Sequence, residues 1–234
     1  MTVDKHDPGR WNEPSGVRAR GTVLVFPGRG ESSAAYWRFG ARLAADAYRV
    51  IVVEDDAAAN SELEGAVRPV VAVGADGGVY RAVDFAARHD VDAVIVAGVP
   101  VGGETDALVA EIASRTACPA HIDVLARDGA AARAIDSVLT LGDLLAAPAT
   151  LGSDIPVLAI HGAADPVSPV DAAIEVYREL GATQVTIIAG GLHDVLSDVS
   201  HRTVAATVVI FLERLRVGAD LPVIARDLAL EQAR

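Results

Sequence analysis

A three-layer α/β/α sandwich, built on a mainly parallel sheet of about six strands, is the fold class that the sequence predicts. Two observations carry it. Short runs of Val, Ile and Ala alternate along the chain with segments of helical periodicity, the pattern of parallel strands joined by right-handed crossovers. The composition supports the same reading: 51% of the 234 residues are hydrophobic but only 4% are aromatic, so Val, Ala, Leu and Ile must build the core. Residues 1–20 are polar, with scattered Gly and Pro, and read as a loose arm; residues 21–234 read as one domain.

The first strand is expected at residues 22–26, stopped by Pro27-Gly28-Arg29-Gly30, with a helix over 33–47. Strands follow at 50–53 and 70–73. After the turn Gly74-Ala75-Asp76-Gly77-Gly78, Val79, Ala82, Val83 and Ala86 recur at helical spacing with Arg81, Asp84 and Arg88 opposite them, which predicts an amphipathic helix. Residues 93–97 are continuously apolar, as a strand covered on both faces should be. Two more strands are expected at 156–160 and 185–189, separated by a helix over 170–180. A last helix spans 202–216, with Val204, Val208, Phe211, Leu212 and Leu215 as its stripe. Residues 101–153 follow a strand's carboxyl end and read as a short lid, with helices over 104–114 and within 131–145.

Several function classes are disfavoured by composition. A net charge of −12 repels DNA, RNA and anionic lipid. One cysteine, Cys118, allows no intrachain disulfide, and with six scattered histidines it makes a structural zinc site an unexpected feature. Nothing in the sequence asks for a cofactor or a metal. Residues 1–13 lack the apolar stretch of a secretory signal and no run is long enough to span a bilayer, so the expected home is the cytoplasm and the expected partner a small-molecule substrate.

Three loops carry the candidate chemistry, each after a predicted strand. Gly74-Ala75-Asp76-Gly77-Gly78 fits a G-x-nucleophile-x-G turn, in which strained backbone pushes the central side chain toward the positive end of the following helix. Gly162-Ala163-Ala164-Asp165-Pro166-Val167-Ser168-Pro169 follows the strand at 156–160, and Gly190-Gly191-Leu192-His193-Asp194 follows the strand at 185–189. The chain order is nucleophile, acid, histidine.

These motifs resemble the α/β-hydrolase superfamily, and especially its monoacylglycerol lipase and lysophospholipase-like branch. Val25-Phe26-Pro27-Gly28-Arg29-Gly30-Glu31-Ser32 is similar to that branch's H-G-x-G-E-H segment, with Pro27 where histidine is usual. The resemblance covers residues 21–216 and is interrupted mainly by the lid. It implies Asp76 as nucleophile, His193 as base and Asp165 as the acid that orients it. It further implies an oxyanion hole made by the backbone N–H groups of Arg29 and Gly77.

Aspartate stands where most of the superfamily carries serine. A carboxylate needs no deprotonation before attack. In this respect the chain resembles haloalkane dehalogenases and epoxide hydrolases, which pass through an alkyl ester hydrolysed by histidine-activated water. It departs from both. Gly77 occupies the place of the dehalogenases' halide-binding tryptophan, and the lid has no tyrosine to protonate an opening epoxide; Tyr36 is the nearest by position. Attack by Asp76 on an acyl carbon would give a mixed anhydride, so esterase activity is not implied.

Plainer roles exist for each residue. Asp76 suits the N-cap of the next helix, or can act as a general base without forming an ester. Asp165 suits an Asx turn before Pro166. His193 can be an ordinary loop histidine or pair with Asp194. His161 reads as structural, while His89, His121 and His201 have no recognisable partner, and Cys118 reads as inert core or as facing the cleft. Two functions follow: a hydrolase acting through Asp76, His193 and Asp165, or a ligand-binding or regulatory protein that lost the serine.

Overall fold

The computed structural model describes residues 9–101, 108–128, 151–152 and 154–226. Its strands are β1 (Arg10–Trp11), β2 (Gly21–Phe26), β3 (Tyr48–Val52), β4 (Val70–Ala75), β5 (Ala93–Ala97), β6 (Val157–Gly162) and β7 (Gln184–Ile188). Its helices are α1 (Trp37–Ala45), α2 (Asp56–Leu63), α3 (Gly78–Arg88), α4 (Leu108–Arg115), α5 (Pro119–Asp128), α6 (Val170–Glu179) and α7 (His201–Val217). The seven strands form one sheet in the order β1-β3-β2-β4-β5-β6-β7, with β1 antiparallel to β3 and every other pair parallel.

Continuous apolar strands are what a sheet covered on both faces requires. On one face Val23, Val25, Val71, Val73, Ile95, Leu158 and Ile160 pack with Phe39 and Leu43 of α1 and Val204, Val208, Phe211 and Leu212 of α7. On the other, Leu24, Phe26, Ala72, Val94, Val96 and Ala159 pack with Val79, Val83 and Phe85 of α3 and Val176 and Tyr177 of α6. Predicted three-layer architecture and observed structure agree.

Four differences separate the structure from these expectations. The sheet has seven strands because β1, inside the arm expected to be loose, adds an edge: Arg10 pairs with Ile51 and Trp11 with Val50. Trp11 also lies against α1 at Gly40, where an added Cβ would sit 2.2 Å from its ring. The helix expected over 33–47 divides into a 3-10 turn at Ser33–Tyr36 and α1. Helix α2 escaped the sequence pattern because Ala59 is its one buried residue, and it is fixed instead by Asp55, which accepts from Ala58 N–H at 2.7 Å. In the segment read as a lid, the helix expected over 104–114 is observed as α4, while α5 was not anticipated; the helices expected within 131–145 lie outside the described residues.

From β2 the chain passes to β3 on one side, then returns to β4 on the other. The carboxyl ends of β2 and β4 therefore flank the switch point, where open α/β sheets place their ligand crevice. The loops holding Arg29 and Asp76 start there.

Candidate active site

Strand β4 ends at Ala75, and Asp76 has φ of 46°, in the left-handed region. For a non-glycine residue this costs about 1–3 kcal/mol and persists only where its surroundings enforce it. They do so through close approach. An added Cβ at Gly74 would lie 2.4 Å from Val79 Cα, and one at Gly78 would lie 2.1 Å from the Phe26 carbonyl oxygen. Asp76 N–H donates to the Ala97 carbonyl at 3.0 Å, and its own carbonyl accepts from Val79 N–H at 3.0 Å.

The Asp76 carboxylate caps no helix. Its Oδ2 accepts from Arg29 N–H at 2.8 Å and from Arg29 Nε at 2.9 Å. Its Oδ1 is 3.0 Å from Arg29 Nε and 3.1 Å from His193 Nε2. Burial alone would raise the Asp76 carboxyl group. The His193 hydrogen bond and the charges of Arg115 and Arg29 outweigh it and hold the group well below the usual carboxylate range.

His193 leaves β7 on the Gly190-Gly191-Leu192 turn and is 1% exposed. Its Nδ1 donates to Asp165 Oδ2 at 2.7 Å. Burial works to lower the imidazole, but the hydrogen bonds to Asp165 and Asp76, with their charges, raise it to about 9. The loop is seated against Gly98, which has φ of 58° and no room for a Cβ: the His193 carbonyl oxygen would be 2.3 Å away. Asp165 makes the expected turn as well, its Oδ1 accepting from Val167 N–H at 2.8 Å and Ser168 N–H at 3.0 Å. One oxygen is spent on the turn and the other on the histidine.

His161 supports this corner rather than reacting. Burial favours its neutral form, with Nε2 donating to the Ser168 carbonyl at 2.8 Å and Nδ1 accepting from Tyr177 Oη at 2.9 Å. Of the two expected oxyanion donors, Arg29 N–H meets Asp76; among the described residues, no hydrogen bond engages Gly77 N–H. Tyr36 is committed elsewhere, its hydroxyl bonded to Glu31 and accepting from Gly28 N–H at 2.9 Å. Cys118 is buried and accepts from Arg38 Nη1 at 3.1 Å.

A second tier of buried charge was not anticipated. Arg115, the last residue of α4, has a fully buried side chain. Its Nε lies 3.0 Å from Asp194 Oδ2, its Nη1 donates to the Arg29 carbonyl at 2.9 Å, and its Nη2 lies 3.1 Å from Glu31 Oε1. His121, on α5, is 2.9 Å from Asp194 and 3.5 Å from Glu31. Burial acts to lower this imidazole too, and the two carboxylates raise it to about 9. His121 therefore has partners that the sequence reading did not give it. Glu31, His121 and Asp194 are close enough together to suggest a cation site, with ligand atoms within 4.8 Å of one another; the Arg115 guanidinium already brings positive charge to two of them. Asp198 accepts from Leu192 N–H at 3.1 Å and Thr116 Oγ1 at 2.9 Å, so the segment between α4 and α5 also grips the histidine loop. Glu31 was visible within the quoted Gly30-Glu31-Ser32 segment; Arg115 and His121 sit in no motif.

A groove of about 870 Å³ opens beside the elbow, lined by Arg29, Glu54, Gly77, Gly78 and Arg81 among others. Asp76 is not on its wall. Arg29, which lines the groove and binds the carboxylate, separates the two.

Solved structures similar to this chain include a soluble variant of Saccharomyces cerevisiae monoglyceride lipase with a substrate analogue, at 14% identity and a TM-score of 0.61 over 88% of this chain and 90% of that one. An esterase from Rhodococcus is similar at 20% identity and a TM-score of 0.64, over 87% and 93%. The thioesterase domain of the curacin biosynthetic pathway gives 14% and 0.59, over 86% and 93%. The chain has the α/β-hydrolase fold. No family model and no curated protein matches its sequence. No helix among the described residues is long and apolar enough to cross a membrane.

Proposed function

We propose that this chain is a hydrolase that acts on a small organic substrate through Asp76, His193 and Asp165, by way of an ester on Asp76. The observation that carries the proposal is the bridge made by His193, 2.7 Å from Asp165 and 3.1 Å from Asp76, all three residues being buried. Arg29 N–H holds Oδ2, so Oδ1 is the attacking atom once the Arg29 side chain, 3.0 Å from it, moves aside. Attack on a saturated carbon forms the Oδ1–carbon bond and expels the leaving group with its electron pair. The ester no longer carries the negative charge that helps to keep His193 protonated. The imidazole then gives up its proton, to the expelled group where that is an alkoxide and otherwise to solvent, and serves as base for water. The groove beside Arg29 is the proposed substrate site.

Turnover in ¹⁸O-labelled water tests this. Label entering the Asp76 carboxylate, read by mass spectrometry of its peptide, is the expected result; repeated turnover without label eliminates the ester. A second reading has its own support. Arg29 contacts both carboxylate oxygens and closes them from the groove, as suits a scaffold that binds a ligand without turnover. Loss of a measured hydrolysis in a folded Asp76→Asn variant rules that reading out.

A further inference from the structure

We infer that Arg115 supplies, from the lid helix α4, the positive charge that stabilises the oxyanion formed on Asp76 Oδ2 when the aspartyl ester is hydrolysed. The inference rests on the ester reading above. Three corners of the guanidinium are differently employed. Nε is held by Asp194 and Nη1 by the Arg29 carbonyl. Nη2 is fully buried and has no hydrogen-bond partner among the described residues. It stands 3.1 Å from Glu31 Oε1, in ion-pair range, and 4.0 Å from Asp76 Oδ2. That second oxygen is the one already bound by Arg29 N–H.

The charge on Oδ2 changes along the proposed reaction. In the resting carboxylate the negative charge is shared between two oxygens. In the ester, Oδ1 is bonded to the substrate carbon and Oδ2 is a neutral carbonyl oxygen. Neutral His193 then takes a proton from water, the hydroxide oxygen bonds to the carboxyl carbon, and the carbonyl electron pair moves onto Oδ2. Collapse returns that pair, breaks the Oδ1–carboxyl carbon bond, and the departing alkoxide takes the proton from His193. One water is consumed and one alcohol released; Oδ1 leaves with the product, a water oxygen replaces it, and the regenerated carboxyl group passes the remaining water proton to His193, restoring the carboxylate and the imidazolium. A fixed cation near Oδ2 favours the intermediate over the ester, because only the intermediate concentrates charge there. Held at Nε and Nη1, Arg115 needs little rearrangement to do so. It does nothing comparable for the first step, which removes charge from Oδ2.

That asymmetry gives the test. Quenched-flow mass spectrometry of intact protein, with 1-bromohexane and 1,2-epoxyhexane as probes, follows the Asp76 adduct forming and disappearing. Arg115→Lys keeps a buried charge but loses the fork; Arg115→Met combined with Glu31→Gln removes the charge and one of its partners together. Thermal melts establish that each variant is folded. The expected result is an adduct that forms within about threefold of the parent rate but hydrolyses about 10–100-fold more slowly, so that it accumulates. Equal slowing of both steps, or unaltered hydrolysis, overturns the role of Arg115 and leaves the ester intact. Absence of both adduct and turnover in the parent with either probe refutes the ester reading and the inference with it.

Discussion

Replacing Asp194 by asparagine tests the buried charge cluster, because it removes one negative charge and little volume. In the parent, Asp194 binds Arg115 at 3.0 Å and His121 at 2.9 Å, all three being buried. Breaking a buried pair from one side costs about 3–5 kcal/mol. Arg115 retains Glu31 at 3.1 Å, which places the expected loss at the low end, about 3 kcal/mol. For a chain of this size that lowers Tm by roughly 6–12 °C. The pH dependence should change as well. His121 and His193 are both raised to about 9 in the folded chain, against about 6.5 when unfolded. Their contribution is therefore complete below pH 6.5 and disappears as pH rises through 9. Between those limits each histidine removes about 1.4 kcal/mol per pH unit, so the pair gives a slope of about −2.7. Asp194→Asn deprives His121 of its nearer carboxylate, and the slope should roughly halve. Urea titrations at pH 7.0, 7.5, 8.0 and 8.5 measure both quantities. A Cys118→Ala background is needed, since that thiol is lowered and titrates in the opposite sense. Parent stability that does not vary across this range, or a variant within about 1 kcal/mol of the parent at pH 7, would refute the reasoning.

Three further outcomes are expected. Asp76→Ser removes the carboxylate from Arg29 N–H and places a hydroxyl beside His193, so release of nitrophenol from 4-nitrophenyl acetate should rise above background; adding His193→Ala should abolish it. Gly78→Ala puts a Cβ 2.1 Å from the Phe26 carbonyl and 2.5 Å from that of Pro27, both backbone atoms. Calorimetry should register a loss of about 2–3 kcal/mol or more, and an unchanged melt contradicts the close approach. Asp165→Asn removes the stronger of the two hydrogen bonds raising His193, and NMR titration of the imidazole should place it at least about one unit lower.

What the sequence showed of the fold and site follows from how local each signal is. Asp76, Asp165 and His193 were legible because each follows an apolar run and sits among glycines or prolines that only a tight turn explains. Trp11 and β1 were not, because a two-residue strand has no periodicity and is defined by pairing with Ile51 and Val50 far along the chain. Arg115 and His121 were hidden for the same reason. Their partner Asp194 lies 79 and 73 residues away, and nothing near either of them marks a charge meant for burial. The turn role read for Asp165 and its role beside His193 proved compatible, since a carboxylate has two oxygens to divide between them.

An aspartate at this elbow adds a buried negative charge where a serine would add none, and the neighbouring residues show how the fold accommodates it. Arg29 offers both its backbone N–H and its side chain to the carboxylate, and Arg115 stands 4.0 Å behind Oδ2. Arg115 in turn brings positive charge that Glu31 and Asp194 balance, and His121 is raised to about 9 between those two. The cluster thus sets four acidic residues (Glu31, Asp76, Asp165 and Asp194) against Arg29, Arg115, His121 and His193. Charge compensation at two levels therefore accounts for a buried carboxylate held well below the usual range, whichever of the two roles Asp76 plays. It also identifies what any reaction at Asp76 must do first: move the Arg29 side chain off Oδ1 while Arg29 N–H keeps Oδ2, so that the groove and the attacking oxygen meet.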